Sequence, residues 1–242
     1  MISLDNLHKS FGTTHVLDSV SFDIAEGEFV SIIGPSGSGK STIFNLIGGL
    51  LTPESGDIVL DKKIITGERG HMSYMPQQAS LFPWRTILEN VLLGQEIQGM
   101  REEERAKEML TIAGLGSVMN HHPHELSGGM NQRVAFIRAL LSPQSLLCLD
   151  EPFSALDEFT RLEMQKWLLK IWEQYQRSVL FITHNIEEAL FLSDRIIVLS
   201  NQPAKVKTII DIPFERPRDE SLLLTEEFLG WKRTVIEAMQ NN

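Results

Sequence analysis

Apolar residues in this chain gather into short runs separated by polar or glycine positions. Val30-Ser31-Ile32-Ile33, Leu146 to Leu149, Val179 to Ile182 and Ile196 to Leu199 are rich in branched side chains and end at polar residues or glycine. Runs of this length and composition predict strands buried on both faces, as in a parallel sheet. Between them the period lengthens. Met164, Trp167, Leu168, Ile171 and Tyr175 follow the i, i+3, i+4, i+7, i+11 spacing that lines one side of a helix. Strands alternating with helices imply an α/β fold whose parallel sheet is covered on both faces.

Between about Leu81 and Arg133 the apolar runs give way to charge-laced helical sequence, with Glu103 and Lys107 spaced as an i, i+4 pair and Gly114 as a stop. This stretch reads as a helical insertion in the α/β core. Past Lys205, the segment Ile212-Pro213-Phe214-Glu215-Arg216-Pro217-Arg218 suits neither helix nor sheet, and a last amphipathic helix is predicted over Leu224 to Met239.

Charge and composition narrow the picture. Lys and Arg number 22 against 32 Asp and Glu, a net charge of −10, which argues against general nucleic-acid binding because phosphate neutralisation needs clustered cations. The single cysteine, Cys148, lies inside an apolar run, so it reads as a small buried hydrophobe with no disulfide partner in the chain. The opening MISLDNLHKSFG carries Asp5 where an export signal needs unbroken apolar sequence. The longest apolar runs also fall far short of the ~20 residues that cross a bilayer, so neither an export signal nor a membrane span is expected.

Two motifs carry chemistry on their own. Gly34-Pro35-Ser36-Gly37-Ser38-Gly39-Lys40-Ser41 satisfies G-x-x-x-x-G-K-[ST] between a predicted strand and a helix predicted from Thr42 to Leu50, with Ile43, Leu46, Ile47 and Leu50 on one side. Glycines there let backbone N–H groups turn inward around phosphate oxygens, and the helix N-terminus adds its positive end. Residues Gly34 to Thr42 are therefore the predicted nucleotide-binding set, with Lys40 reaching the β- and γ-phosphates and Ser41 a ligand of Mg²⁺. Leu146-Leu147-Cys148-Leu149-Asp150-Glu151 is an apolar strand ending in adjacent carboxylates. Neighbouring strand side chains point apart, so Asp150 suits the metal and Glu151 the water that attacks the γ-phosphate.

Further segments supply a resemblance. Leu126-Ser127-Gly128-Gly129-Met130-Asn131-Gln132-Arg133 resembles the LSGGQ signature of ABC ATPases and lies upstream of the paired acids as in that family. Gln77 matches the Q-loop, Ser154-Ala155-Leu156-Asp157 the D-loop, His184 the switch histidine, and Phe11 before Gly12 the aromatic A-loop position. The match runs from about Leu4 to Ser200 with every motif in family order.

The resemblance implies a P-loop NTPase, RecA-like parallel-sheet core with an N-terminal antiparallel β subdomain and an inserted α-helical subdomain. Residues 1–78 and 137–205 would form the ATP-binding core, 79–136 the helical signature subdomain, and 206–242 a tail and helix. It further implies adenine on Phe11, Gln77 as a metal ligand and catalytic residue beside Glu151 and His184, and Ser127, Gly128 and Gly129 contacting ATP held by a second copy. Asn185 and Glu188 are expected to form a capping box that fixes where His184 points. His121, His122 and His124 near Glu125 suggest metal ligation, but Pro123 splits them and no partner cluster lies at ligand spacing, so a solvated loop is expected.

Leu81-Phe82-Pro83-Trp84-Arg85-Thr86 is similar to the segment after the Q-loop in importers of nitrate, sulfonates, taurine and pyrimidine precursors. The implied protein is an ATP-hydrolysing subunit at the cytoplasmic face of the membrane. It would be held there by separate permease chains through the Gln77 to Trp84 region and served by an extracytoplasmic solute-binding protein. Alternatives are an exporter or lipid-transport ATPase, or a soluble cassette of translation or DNA maintenance; the last has little support, because one cassette is present and no sustained heptad tract exists.

Overall fold

A computed structural model describes residues 1–154 and 156–240. Ala155 of the expected D-loop, and the last two residues of the expected tail, lie outside the described residues. The chain begins with long antiparallel strands β1 (Ile2–Phe11) and β2 (Thr14–Ile24), joined later by β4 (Ser55–Leu60) and the short β5 (Lys63–Ile64) in the order β2-β1-β4-β5. The second sheet contains β3 (Phe29–Ile33), β6 (Met72–Met75), β7 (Leu146–Asp150), β8 (Ser178–Ile182), β9 (Arg195–Leu199) and β10 (Val206–Asp211), in the order β10-β9-β3-β8-β7-β6. Its strands are parallel except the edge strand β10, which pairs antiparallel with β9.

The apolar runs of the sequence are the inner strands of this sheet, and their alternation divides the core. Leu147, Leu149 and Phe181 join the cluster under the long helices, whereas Leu146, Cys148, Leu180 and Ile182 join the cluster under the antiparallel sheet. Cys148 is fully buried, and burial raises its thiol pKa, so it packs as an uncharged side chain. Helix α1 (Lys40–Ile47) follows β3 and buries Ile43, Leu46 and Ile47 against the second cluster. It stops short of the expected Leu50. Gly48 and Gly49 end it, Gly49 at φ +66°, and a Cβ there would come within 2.2 Å of Glu68 O. Leu50 is consequently 57% exposed rather than on the helix's inner side.

The insertion comprises α2 (Ile87–Ile97), α3 (Glu103–Ile112) and the start of α4 (Gly128–Leu141). Glu103 and Lys107 pair at 3.0 Å, and Gly114 takes φ +74° just past the end of α3. Helix α4 runs unbroken across the expected division between residues 136 and 137. Its second half buries Ile137, Leu140 and Leu141 in the main core, so one rigid rod belongs to both parts.

Helix α5 (Glu158–Tyr175) and α6 (Ile186–Leu192) complete the cover of the sheet, and α7 (Glu226–Gln240) closes the chain. Leu224, the expected start of that last helix, instead ends a 3₁₀ turn at 86% exposure, because Thr225 Oγ1 accepts the Phe228 N–H and begins the helix after it.

Candidate active site

The glycine loop between β3 and α1 lines a cavity of about 560 Å³. Gly37 (φ +79°) and Gly39 (φ +90°) bend the loop into the left-handed region, and Gly39 occupies the N-cap of α1 with no side-chain cap. The first N–H groups of the helix therefore lack a protein acceptor from the cap and face the cavity end of the loop. Ser36, Gly37, Ser38, Gly39, Lys40, Ser41 and Thr42 all line it, with Gly34 at the base. Pro35 contributes through its carbonyl: Lys40 Nζ donates to Gly34 O at 2.9 Å and to Pro35 O at 2.8 Å. Burial lowers the lysine's pKa, while Glu151 and Asp150 pull the other way.

The opposite wall comes from strand ends. Glu151 follows β7 at φ +44°, a left-handed conformation costly for a residue with a Cβ, held by its N–H donating to Ile182 O at 2.9 Å. Its Oε2 accepts from Gln77 Nε2 at 3.2 Å and lies 3.1 Å from His184 Nδ1. Gln77 follows β6 and His184 follows β8, so neighbouring parallel strands bring the three side chains to one carboxylate oxygen. Glu151 and His184 line the cavity with the glycine loop. Gln78, the alternative to Gln77, has no such contact in the hydrogen-bonding pattern around Glu151.

Asp150, at the end of β7, is 8% exposed and accepts from Tyr74 Oη at 3.2 Å. Burial raises its pKa, and the Tyr74 and Ser41 hydroxyls facing it oppose that rise. A buried carboxylate beside a serine hydroxyl is an oxygen donor set suited to a hard cation such as Mg²⁺. Gln77 turns its amide nitrogen to Glu151, which leaves its oxygen as the donor atom available to such a cation.

Other predicted residues lie apart from this cavity. Phe11 ends β1 at 48% exposure with Lys9 Nζ 5.4 Å from its ring centre, and does not line the cavity, whereas Val16 does. Ser127 caps α4 by accepting from Met130 N at 3.3 Å, with Gly128 exposed and Gly129 half-buried in the first turn, and none of the three lines the cavity. The capping box expected at α6 forms only half. Asn185 Oδ1 accepts from Glu187 N and Glu188 N, but the Glu188 carboxylate does not return to Asn185. Thr183 competes for it: Thr183 Oγ1 donates to Glu188 Oε2 at 2.5 Å. His121 and His122 lie 3.6 Å from Glu125 oxygens on an exposed loop, and His124 stacks on His122.

Tyr74, Val16 and Gln202 are site residues that no sequence motif singles out. Tyr74 depends on β6 lying beside β7, and Gln202 on the turn after β9; no spacing marks either.

The description "ABC transporter" belongs to the family model that matches residues 17–154. That match covers more than half of the chain. The chain belongs to the ABC transporter family. An uncharacterized ABC transporter ATP-binding protein of Methanocaldococcus jannaschii is 38% identical over 99% of this chain and 91% of its own length. An aliphatic sulfonates import ATP-binding protein, SsuB, of Bacillus cereus is 38% identical over 99% of this chain and 96% of its own. Among solved structures, the cassette MJ0796 in a dimeric post-hydrolysis state bound to ADP and Pi superposes with TM-score 0.76 at 35% identity, covering 89% of this chain and all of that one. A second dimeric structure of MJ0796 gives TM-score 0.77 at 36% identity over the same shares. This ABC chain is thus the ATP-binding, ATP-hydrolysing subunit of a transporter, with the α/β P-loop fold. Among its described residues no helix is long and apolar enough to cross a membrane.

Proposed function

We propose that this ABC ATPase sits at the cytoplasmic face of the membrane and powers an importer of small organic anions of the sulfonate, nitrate or taurine kind, in which a solute-binding protein selects the cargo. The observation that carries the docking part is the pair Phe82 and Trp84, whose rings stack at 5.0 Å and 13° while Trp84 stays 71% exposed. The loop that presents them is pinned from below. Buried Asn90 accepts from Phe82 N and donates to Phe82 O, Arg85 O and Thr86 O, and Arg85 Nη1 donates to Glu96 Oε2 at 2.6 Å. A rigid, solvent-facing aromatic suits an interface anchor, because little ordering entropy remains to be lost on binding. The choice of solute class follows the similarity to the SsuB proteins.

In this reading Lys40, Ser41, Thr42 and the loop N–H groups hold the phosphates, and Phe11 supports the adenine. Ser41, Asp150 and Gln77 would hold Mg²⁺, which would supply positive charge to offset that of the phosphates. Glu151 polarises the water that attacks the γ-phosphorus, and ADP leaves with the bridging oxygen. His184 holds Glu151 on one side and faces the γ-phosphate on the other. Ser127, Gly128 and Gly129, outside their own cavity, serve ATP on a second copy. Gln132 Nε2, in the same helix, donates to Gln77 O at 3.0 Å, which links the signature helix to the loop that meets the permease.

The test is reconstitution with its permease in liposomes. Turnover should rise when an alkanesulfonate-loaded binding protein is supplied, and stimulation only by an unrelated solute overturns the substrate class. Trp84→Ala should weaken assembly with the permease by about 2 kcal/mol and leave melting unchanged, since the ring is mostly in solvent. Normal assembly and transport by that variant would remove the docking role.

A further inference from the structure

Behind the switch histidine lies an ion pair between a buried glutamate and a half-buried arginine that the nucleotide reading does not use. Glu188, on α6, is 5% exposed, and Arg161, on α5, places Nε 3.7 Å from Glu188 Oε1. Arg161 Nη2 also donates to Leu156 O at 2.8 Å, in the segment that follows Glu151. On the other side, Thr183 Oγ1 donates to Glu188 Oε2 and accepts from Asn185 N at 3.0 Å, clamping the backbone on both sides of His184. His184 then meets Glu151, and Ser154 Oγ donates to Glu151 O at 3.0 Å. The polar contacts therefore reach Glu151 from two directions, through His184 and through the loop after it.

Burial pushes the Glu188 carboxyl pKa up, with Thr183 and Arg161 countering. Burying such a pair is poorly repaid as stability, because an apolar replacement is often neutral or better. Its geometry is more informative, since it joins two segments that both touch the proposed general base. We propose that Arg161 and Glu188 are positioning residues for hydrolysis: the pair locks the loop after Glu151 to the Thr183–His184 strand end, so that His184 and Glu151 keep one mutual geometry. This rests on the hydrolytic roles given above to Glu151 and His184.

Glu188→Gln keeps size and an acceptor for Thr183 but removes the charge that holds Arg161. It should lower kcat about 10- to 100-fold, the scale of a misplaced catalytic group, with ATP affinity unchanged. Paired Arg161→Leu and Glu188→Leu removes the tie without leaving a lone buried charge, so it should fold with native melting while kcat stays low. Native kcat in that folded variant would show the pair to be structural only and would overturn the proposal. In a His184→Ala background Glu188→Gln should cost less than in the native chain, because only the route through the loop after Glu151 remains, and a fully additive loss would overturn the route through His184. Where His184→Ala leaves no measurable turnover, imidazole NMR of the paired variant decides: the His184 resonance should move while those of His8 and His15 do not, and an unmoved His184 overturns the proposal. Native turnover in Glu151→Gln is a separate failure, that of the hydrolytic reading itself.

Discussion

The two walls of the nucleotide cavity are built by different means. The glycine loop is one contiguous stretch, Gly34 to Ser41, whose shape comes from its own backbone: two glycines at positive φ and an uncapped helix start. The facing cluster is made of side chains from Gln77, Glu151 and His184, which meet only because β6, β7 and β8 are neighbours and end on the same edge of the sheet. A loop made of backbone grips phosphate and is insensitive to most side-chain chemistry. A cluster made of side chains does chemistry and is sensitive to single atoms. Substitutions on one wall should therefore change ATP affinity, and substitutions on the other should change turnover.

The largest effect is expected at the cluster. Glu151→Gln replaces one oxygen by nitrogen in the same left-handed backbone, so it adds no strain yet removes the proposed base. Steady-state kcat should fall about 10³-fold, or ~4 kcal/mol of barrier, while equilibrium ATP binding stays within about twofold. A light-scattering experiment with MgATP should then find the dimer accumulating. Unchanged turnover would remove Glu151 from the mechanism. On the loop wall, Gly39→Ala should do the reverse. Its Cβ would sit 2.9 Å from Leu17 Cδ2 and Val16 Cγ1 at φ +90°. Strain and overlap together should cost about 3 kcal/mol of ATP affinity, read by titration calorimetry.

Legibility in the sequence follows the same divide. The loop can be read because strand, turn and helix are adjacent in the chain, and so can β3, β7, β8 and β9, whose apolar runs are long enough to mark burial on both faces. Strand β10 is not legible: as an edge strand it is nowhere buried, and Lys207, Thr208 and Asp211 break its apolar run. Helical spacing alone misplaces the end of α1 because Leu50 continues the pattern, although Gly48 and Gly49 are visible and stop the helix for steric reasons. The individual acids and His184 are legible from motif resemblance, but their convergence on Glu151 Oε2 depends on sheet order. Spacing alone assigns Glu188 to a capping box, and the nearer Thr183 hydroxyl takes its carboxylate instead. Asn90 carries no motif, and its role under the Trp84 loop follows from burial in the first turns of α2.

The loop holds a finer contrast of its own. Gly37 and Gly39 both hold positive φ, but a Cβ on Gly37 would meet nothing within 4 Å, whereas one on Gly39 meets two side chains of β2. Gly37→Ala therefore isolates backbone strain from packing. Placing alanine in the left-handed region costs about 1 kcal/mol, so ATP affinity should fall about fivefold. At saturating ATP, kcat should be native, because no atom of the Glu151 wall has moved. The gap between the two variants, about 2 kcal/mol, then measures how firmly Val16 and Leu17 back the loop. Equal losses at Gly37 and Gly39 would show that the antiparallel sheet yields freely, and that the loop's shape comes from its glycines alone.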